Sequence, residues 1–147
     1  MKEFIAACVQ IAITPNDIKA NIEKSVSWLE KAVKENDAEL IVFPETVTTG
    51  FVTNLETNEL WDLLDDAPGH ITAEIQKAAK AHSVHVVWPT YRRGPQSGIL
   101  YNSSILIGPD GGIIGTYDKT HPFPLERADC GGWVTVGNRA DVFETAL

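Results

Sequence analysis

Ala38-Glu-Leu-Ile-Val-Phe-Pro-Glu45 is the stretch on which the fold turns. Its apolar core reads as a buried strand, and Pro44 with an acid behind it stops that strand abruptly. Just upstream, Ile18, Ile22, Val26, Leu29 and Val33 recur at helical spacing, with lysines and glutamates on the other faces. Thr14-Pro-Asn-Asp17 offers that helix its caps, and Asn36 and Asp37 end it. Further back, Phe4-Ile-Ala-Ala-Cys-Val-Gln-Ile-Ala-Ile13 is almost continuously apolar, as expected of a strand buried on both faces. Strand, helix and strand with short joins make a βαβ unit, so these two strands should run parallel.

Downstream, Thr46 to Asn54 is a polar stretch at the C-terminal end of a parallel strand, where α/β proteins usually build their sites. A short helix is predicted over Glu56 to Leu64, a turn at Asp65-Asp-Ala-Pro-Gly69, and a further helix from Ile71 to His82. Val84-His-Val-Val-Trp88 reads as a third strand. Leu100 to Ile107 and Gly112 to Tyr117 read as two more, joined at Gly108-Pro-Asp-Gly111, a strong turn signal. After Lys119 the chain turns irregular through Pro122, Pro124 and Gly131-Gly132. Ala140 to Leu147 then looks like a strand just beginning, so the expectation is a chain cut within a domain. No linker, internal repeat or low-complexity segment is visible.

Composition narrows the class. At 147 residues the chain is about one average domain, with 44% hydrophobic and 22% charged residues, as in soluble globular proteins. A net charge of −8 argues against nucleic acid and anionic membrane surfaces as partners. No apolar run approaches the roughly 20 residues of a membrane span, and Met1-Lys-Glu-Phe4 leads into no signal-peptide core. A cytoplasmic protein with free thiols at Cys8 and Cys130 is expected.

Glu45 and Lys119 are the first candidates for chemistry. Each has a bland reading as a solvated side chain at a strand end. As functional groups, a carboxylate held against apolar neighbours has raised proton affinity and suits general-base work, while a fixed ammonium stabilises an oxyanion. Other candidates are weaker. His70, His82, His85 and His121 share no metal-ligand spacing. Gly108-Pro-Asp-Gly-Gly112 lacks both the glycine order and the following helix of a phosphate cradle. Cys8 reads as a core residue of the first strand. Cys130-Gly-Gly-Trp133 lies in an irregular stretch with no strand to present the thiol, so it reads as a bystander. Glu23, Lys24, Glu30, Lys31, Lys34 and Glu35 read as a solvated helix face, and Trp28 and Trp61 as packing residues or interface anchors.

Taken in order, Gln10, Asn21, Phe43-Pro-Glu45, Thr49-Gly-Phe51, Leu100-Tyr-Asn102, Ile107-Gly-Pro-Asp-Gly111, Gly115-Thr-Tyr-Asp-Lys-Thr-His121 and Glu126 make a pattern. With it the chain resembles the N-terminal half of the nitrilase superfamily, the carbon–nitrogen hydrolases. The resemblance implies an α/β fold, an αββα sandwich of two face-to-face sheets with helices outside, here as an incomplete N-terminal portion. It implies a catalytic Glu–Lys–Cys set in which Glu45 matches the general base and Lys119 the oxyanion-stabilising lysine. Glu126 matches a second glutamate that positions lysine and substrate, and His121 supports the lysine loop. The family's cysteine lies beyond this chain, so residues 1–147 would form a hydrolase domain truncated before its nucleophile and inactive alone. Amide, nitrile, carbamoyl or ureido substrates all fit, no metal or organic cofactor is needed, and a homodimer or higher homo-oligomer is expected. Trp88-Pro89 departs from the family's more usual glycine and could reshape the pocket wall. A non-catalytic scaffold module is the alternative if the short chain is the natural product. Dinucleotide binding is disfavoured by the absent glycine fingerprint.

Overall fold

The computed structural model describes residues 3–51 and 54–147. Met1 and Lys2, and Val52 and Thr53 in the expected polar loop, lie outside the described residues. Among the described residues five strands form one sheet in the order β1-β2-β3-β4-β5. They are β1 (Ala6–Cys8), β2 (Leu40–Val42), β3 (His85–Arg93), β4 (Leu100–Ile107) and β5 (Ile113–Asp118). The helices are α1 (Ile18–Asn36), α2 (Thr57–Leu63) and α3 (His70–His82), and a 3₁₀ turn spans Ala128–Cys130. β1, β2 and β3 are parallel, and β4 and β5 follow as antiparallel hairpins. Among the described residues no helix is long and apolar enough to cross a membrane.

Local chemistry accounts for the helix ends. The Asp17 carboxylate caps α1 by accepting the Ala20 N–H at 3.0 Å. At the other end Asp37 adopts a left-handed conformation (φ 52°), and its N–H closes back on Ala32 and Val33. A short polar side chain makes that conformation tolerable without glycine. The exposed face of α1, expected as a solvated one, carries ion pairs, Lys34–Glu30 at 2.9 Å among them.

The two faces of the sheet differ. Ile41, Val86 and Ile107 share one row and one face, with Trp88 and Ile105 beside them, and all five are fully buried. Trp88 donates its indole N–H to the Ile71 carbonyl at 3.0 Å and meets Phe43 edge-on, which locks α3 onto this face. The opposite row runs Cys8, Val42, Val87, Leu106 and Gly115 and is covered only in part. Phe143 packs against Gly115, in space that a Cβ would occupy. The chain thus supplies one helix layer and one sheet of the expected sandwich.

Three expectations are corrected. The first strand is not buried on both faces: it shrinks to Ala6–Cys8, alternates in exposure, and leaves Cys8 exposed instead of in the core. As an edge strand it has one neighbour, and α1 covers only one of its sides. The third strand runs past Trp88 to Arg93. Pro89 is tolerated there because β2 has already ended beside it, and the Val47 N–H bonds the Pro89 carbonyl at 3.0 Å. Residues 140–147 form no strand, since they have no ladder partner among the described residues.

Trp88→Ala is expected to cost about 3–5 kcal/mol through cavity formation and the lost hydrogen bond. Urea unfolding followed by circular dichroism should show the midpoint falling with an unchanged slope.

Candidate active site

β2 delivers Pro44-Glu45 at its C-terminal end, and the following residues are anchored instead of free. Thr46, Thr48 and Thr49 are fully buried, and the Thr48 and Thr90 hydroxyls lie 2.6 Å apart. Asn21 on α1 is also fully buried; its amide donates to the carbonyls of Thr14 and Thr48 at 2.7 and 2.8 Å and accepts from the Thr14 N–H. Helix α1 therefore holds the turn that carries Glu45. Lys119 comes from the end of β5, where its N–H donates to the Asn102 carbonyl at 2.8 Å. Its own carbonyl accepts from Gly137, which runs so close to Asp118 that any Cβ would collide with the Asp118 carbonyl.

These segments bring three charged groups together. The Lys119 ammonium donates to Glu45 Oε1 and to Glu126 Oε1, each at 2.7 Å. Glu126 is 1% exposed, and four donors satisfy its carboxylate. Besides Lys119 these are the Phe123 N–H at 2.8 Å, the Asn102 amide at 3.1 Å and the Tyr91 hydroxyl at 3.3 Å. The Glu45 side chain is 47% exposed, and its Oε1 also accepts from the Asn102 amide at 2.7 Å. On the other face of the sheet, the Arg92 guanidinium forks onto Asp118 at 2.9 Å and bonds Ser103, tying β3, β4 and β5 behind the site.

The structure thus joins Glu45, Lys119 and Glu126, the residues singled out in the sequence. The surroundings of Glu45 differ from the apolar ones expected; they are polar and half open. His121 stands beside the cluster, its ring Nδ1 2.9 Å from the Thr120 hydroxyl, which lies 3.0 Å from that of Tyr117. Cys130 is exposed on the 3₁₀ turn, and no hydrogen bond among the described residues joins either cysteine to Glu45 or Lys119. Trp88 points into the helix layer, so it is Pro89 that shapes the pocket wall. Tyr91 was not legible because it lies beyond the expected end of the third strand. Asn102 was visible as part of a motif, but a strand sequence does not reveal which residues of other strands it faces.

A recess of about 240 Å³ opens at the cluster, lined by Glu45, Pro89, Asn102, Ser104, Tyr117 and Lys119. A larger one, about 510 Å³, lies among Ile18, Ile22, Leu63 and His70 on the helices but gathers none of these groups. Convergent chemistry, not volume, marks the smaller recess as the candidate site.

Burial alone would raise the Glu126 pKa. The Lys119, Phe123 and Asn102 hydrogen bonds and the lysine charge outweigh it and hold the carboxyl below its ordinary value. Burial likewise opposes the Lys119 charge, and bonds to Glu126 and Glu45 with their charges overcome it, raising its pKa. Burial first, then the Glu126 charge and hydrogen bond, push the Tyr91 phenol up, so it stays a donor. A depressed carboxyl contributes stability above its unfolded pKa and loses it as pH falls through the folded one. Glu126→Gln should therefore cost about 3 kcal/mol near neutral pH, with the gap to the unsubstituted chain closing under acid. For Lys119 the sign is opposite: its contribution is complete below the ordinary lysine range and is lost as pH rises through the elevated value. Unfolding midpoints of both proteins across acid and neutral pH check the first expectation.

Comparison with known proteins bears on the fold and the family. A probable nitrilase of Schizosaccharomyces pombe is 31% identical over 142 residues, covering 96% of this chain and 50% of its own. A formamidase of Bacillus cereus is 34% identical over 129 residues, covering 84% of this chain and 38% of its own. Among solved structures, Saccharomyces cerevisiae Nit3, a member of branch 10 of the nitrilase superfamily, superposes with a TM-score of 0.80. It is 21% identical, and the match covers 96% of this chain and 51% of Nit3. XC1258 of Xanthomonas campestris, a CN-hydrolase superfamily protein, also gives 0.80 at 23% identity, over 99% of this chain and 51% of its own. The chain spans half or less of the length of these curated relatives. Residues 5–147 match the family model for carbon–nitrogen hydrolases, and with the fold and both relatives in agreement, the chain belongs to that family.

Proposed function

We propose that this chain carries the proton-transfer and charge-stabilising part of a hydrolytic site for amides or nitriles, working with a cysteine thiol from outside these residues. The observation that carries the reading is the Lys119 ammonium held at 2.7 Å from both Glu45 and Glu126 at the mouth of a recess. An ammonium has three N–H donors, and two are committed to the carboxylates, which leaves one for a developing oxyanion. Glu45 offers a second carboxylate oxygen, and the half-open side chain brings it within reach of a substrate.

For an amide, Glu45 takes the thiol proton and the thiolate bonds to the carbonyl carbon. Lys119 stabilises the tetrahedral oxyanion. As the C–N bond breaks, Glu45 returns its proton to the departing nitrogen, leaving a thioester. Glu45 then deprotonates a water that attacks this thioester, giving the acid and restoring the thiol. Glu126 holds Lys119 in place and exchanges no proton. The names of two relatives, a formamidase and a probable nitrilase, support small amides and nitriles as the substrates to try first.

Ammonia release from formamide and other simple amides, measured on the protein at its natural length, tests the reading. Glu45→Gln keeps an acceptor for Lys119 but cannot carry the proton, so kcat is expected to fall at least about 100-fold. Lys119→Ala should lower it by about 100- to 1,000-fold. Near-normal turnover in either folded variant would sink the assignment, and no turnover in the unsubstituted protein would favour the scaffold alternative.

A further inference from the structure

We propose that Asn102 is a positioning residue for Glu45: its amide, wedged between the two carboxylates, fixes which oxygen of Glu45 is free to move a proton. The proposal rests on the reading of Glu45 as the proton carrier.

Asn102 is 4% exposed, so its polar atoms need protein partners. Its amide nitrogen lies 2.7 Å from Glu45 Oε1 and 3.1 Å from Glu126 Oε2, which places one N–H on each carboxylate. Ionised carboxylates only accept, so the atom between them must be the nitrogen. Meanwhile the Asn102 main-chain carbonyl accepts the Lys119 N–H at 2.8 Å. One residue of β4 therefore addresses all three members of the cluster, two through its side chain and one through its backbone.

Two consequences follow from charge and valence. Lys119 neutralises one of two carboxylates, so the cluster keeps a net negative charge, and the asparagine dipole is the further donor the two anions share. Oε1 of Glu45 already accepts from Lys119 and Asn102, which leaves Oε2 as the oxygen free for proton transfer. Without the amide, the carboxylate could rotate about its last torsion, and the two oxygens would exchange roles. Tyr91, directly opposite Asn102 in the β3–β4 ladder, braces the same arrangement with its single hydroxyl proton shared between Glu126 Oε2 and the Phe51 carbonyl.

The test uses the protein at its natural length with ¹³C-labelled glutamate carboxyls, read by NMR in the unsubstituted protein and in Asn102→Leu, which keeps the shape and removes both donors. The expected result is a displaced Glu45 carboxyl resonance and a Glu126 titration midpoint that rises toward the ordinary carboxylate range, with backbone amide signals away from the site unchanged. An unmoved Glu45 resonance in folded Asn102→Leu overturns the proposal. Should that variant fail to fold, Asn102→Ser has a single hydroxyl proton and can serve only one carboxylate. One of the two carboxyl resonances must then move, and if neither does the proposal also falls. Because the readout needs no turnover, the two failures are distinguishable: absent ammonia release counts against the hydrolytic reading, an unmoved resonance against the role of Asn102.

Discussion

A carboxylate buried as deeply as that of Glu126 persists only if its lone pairs are met, and much of the structure around the site serves that need. Its four donors come from four places in the chain: Tyr91 on β3, Asn102 on β4, Lys119 at the end of β5, and the Phe123 backbone beyond it. Each arrives only if the β3–β4 and β4–β5 registers are correct, because a slip of one residue would turn Tyr91 or Asn102 to the opposite face. The Arg92–Asp118 pair on the reverse of the sheet holds those registers from behind. Fold and site therefore constrain each other, and the charge that organises the site also selects one pairing of the strands.

What the sequence made legible was local. The spacing from Ile18 to Val33 marked α1, Gly108-Pro-Asp-Gly111 marked the β4–β5 turn, and Pro44-Glu45 marked the end of β2, because each signal lies within a few residues of its effect. Glu45 and Lys119 stood out at strand ends, but their roles, and Glu126 altogether, came through resemblance to a family. The misses were non-local. Cys8 looked like core because its neighbours are apolar, but burial depends on what covers a strand, and β1 lies at the edge. The expected third strand stopped at Trp88, yet the ladder continues through Pro89, whose missing N–H faces the side on which β2 has ended. The threonines after Glu45 read as a polar loop, and their bonds to Asn21 and Thr90 help explain their burial.

The sheet carries a second tension. Val42, Val87 and Leu106 line a face that helices do not cover, although the strands have the two-sided apolar composition of buried ones. Phe143 reaches one point on that face, over Gly115. By strand alternation Asn102 and Tyr91 project from this same side, so the candidate site and the open apolar rows belong to one surface. The recess of about 240 Å³, lined by Pro89, Asn102, Ser104 and Tyr117, opens on that same surface.

The two glutamates show how one cluster assigns different work to the same side chain. Both touch the same ammonium at the same distance, so proximity to Lys119 does not separate them. Saturation does. A proton on Glu126 would have to displace one of the four donors that already fill both of its oxygens. Glu45 accepts both of its bonds on one oxygen and lies half in solvent, so a proton can arrive on the other oxygen without breaking either contact. On the proposed reading, the deeper carboxylate holds the lysine and the shallower one exchanges the proton. Asn102 draws that division, because its amide donates to one oxygen of each.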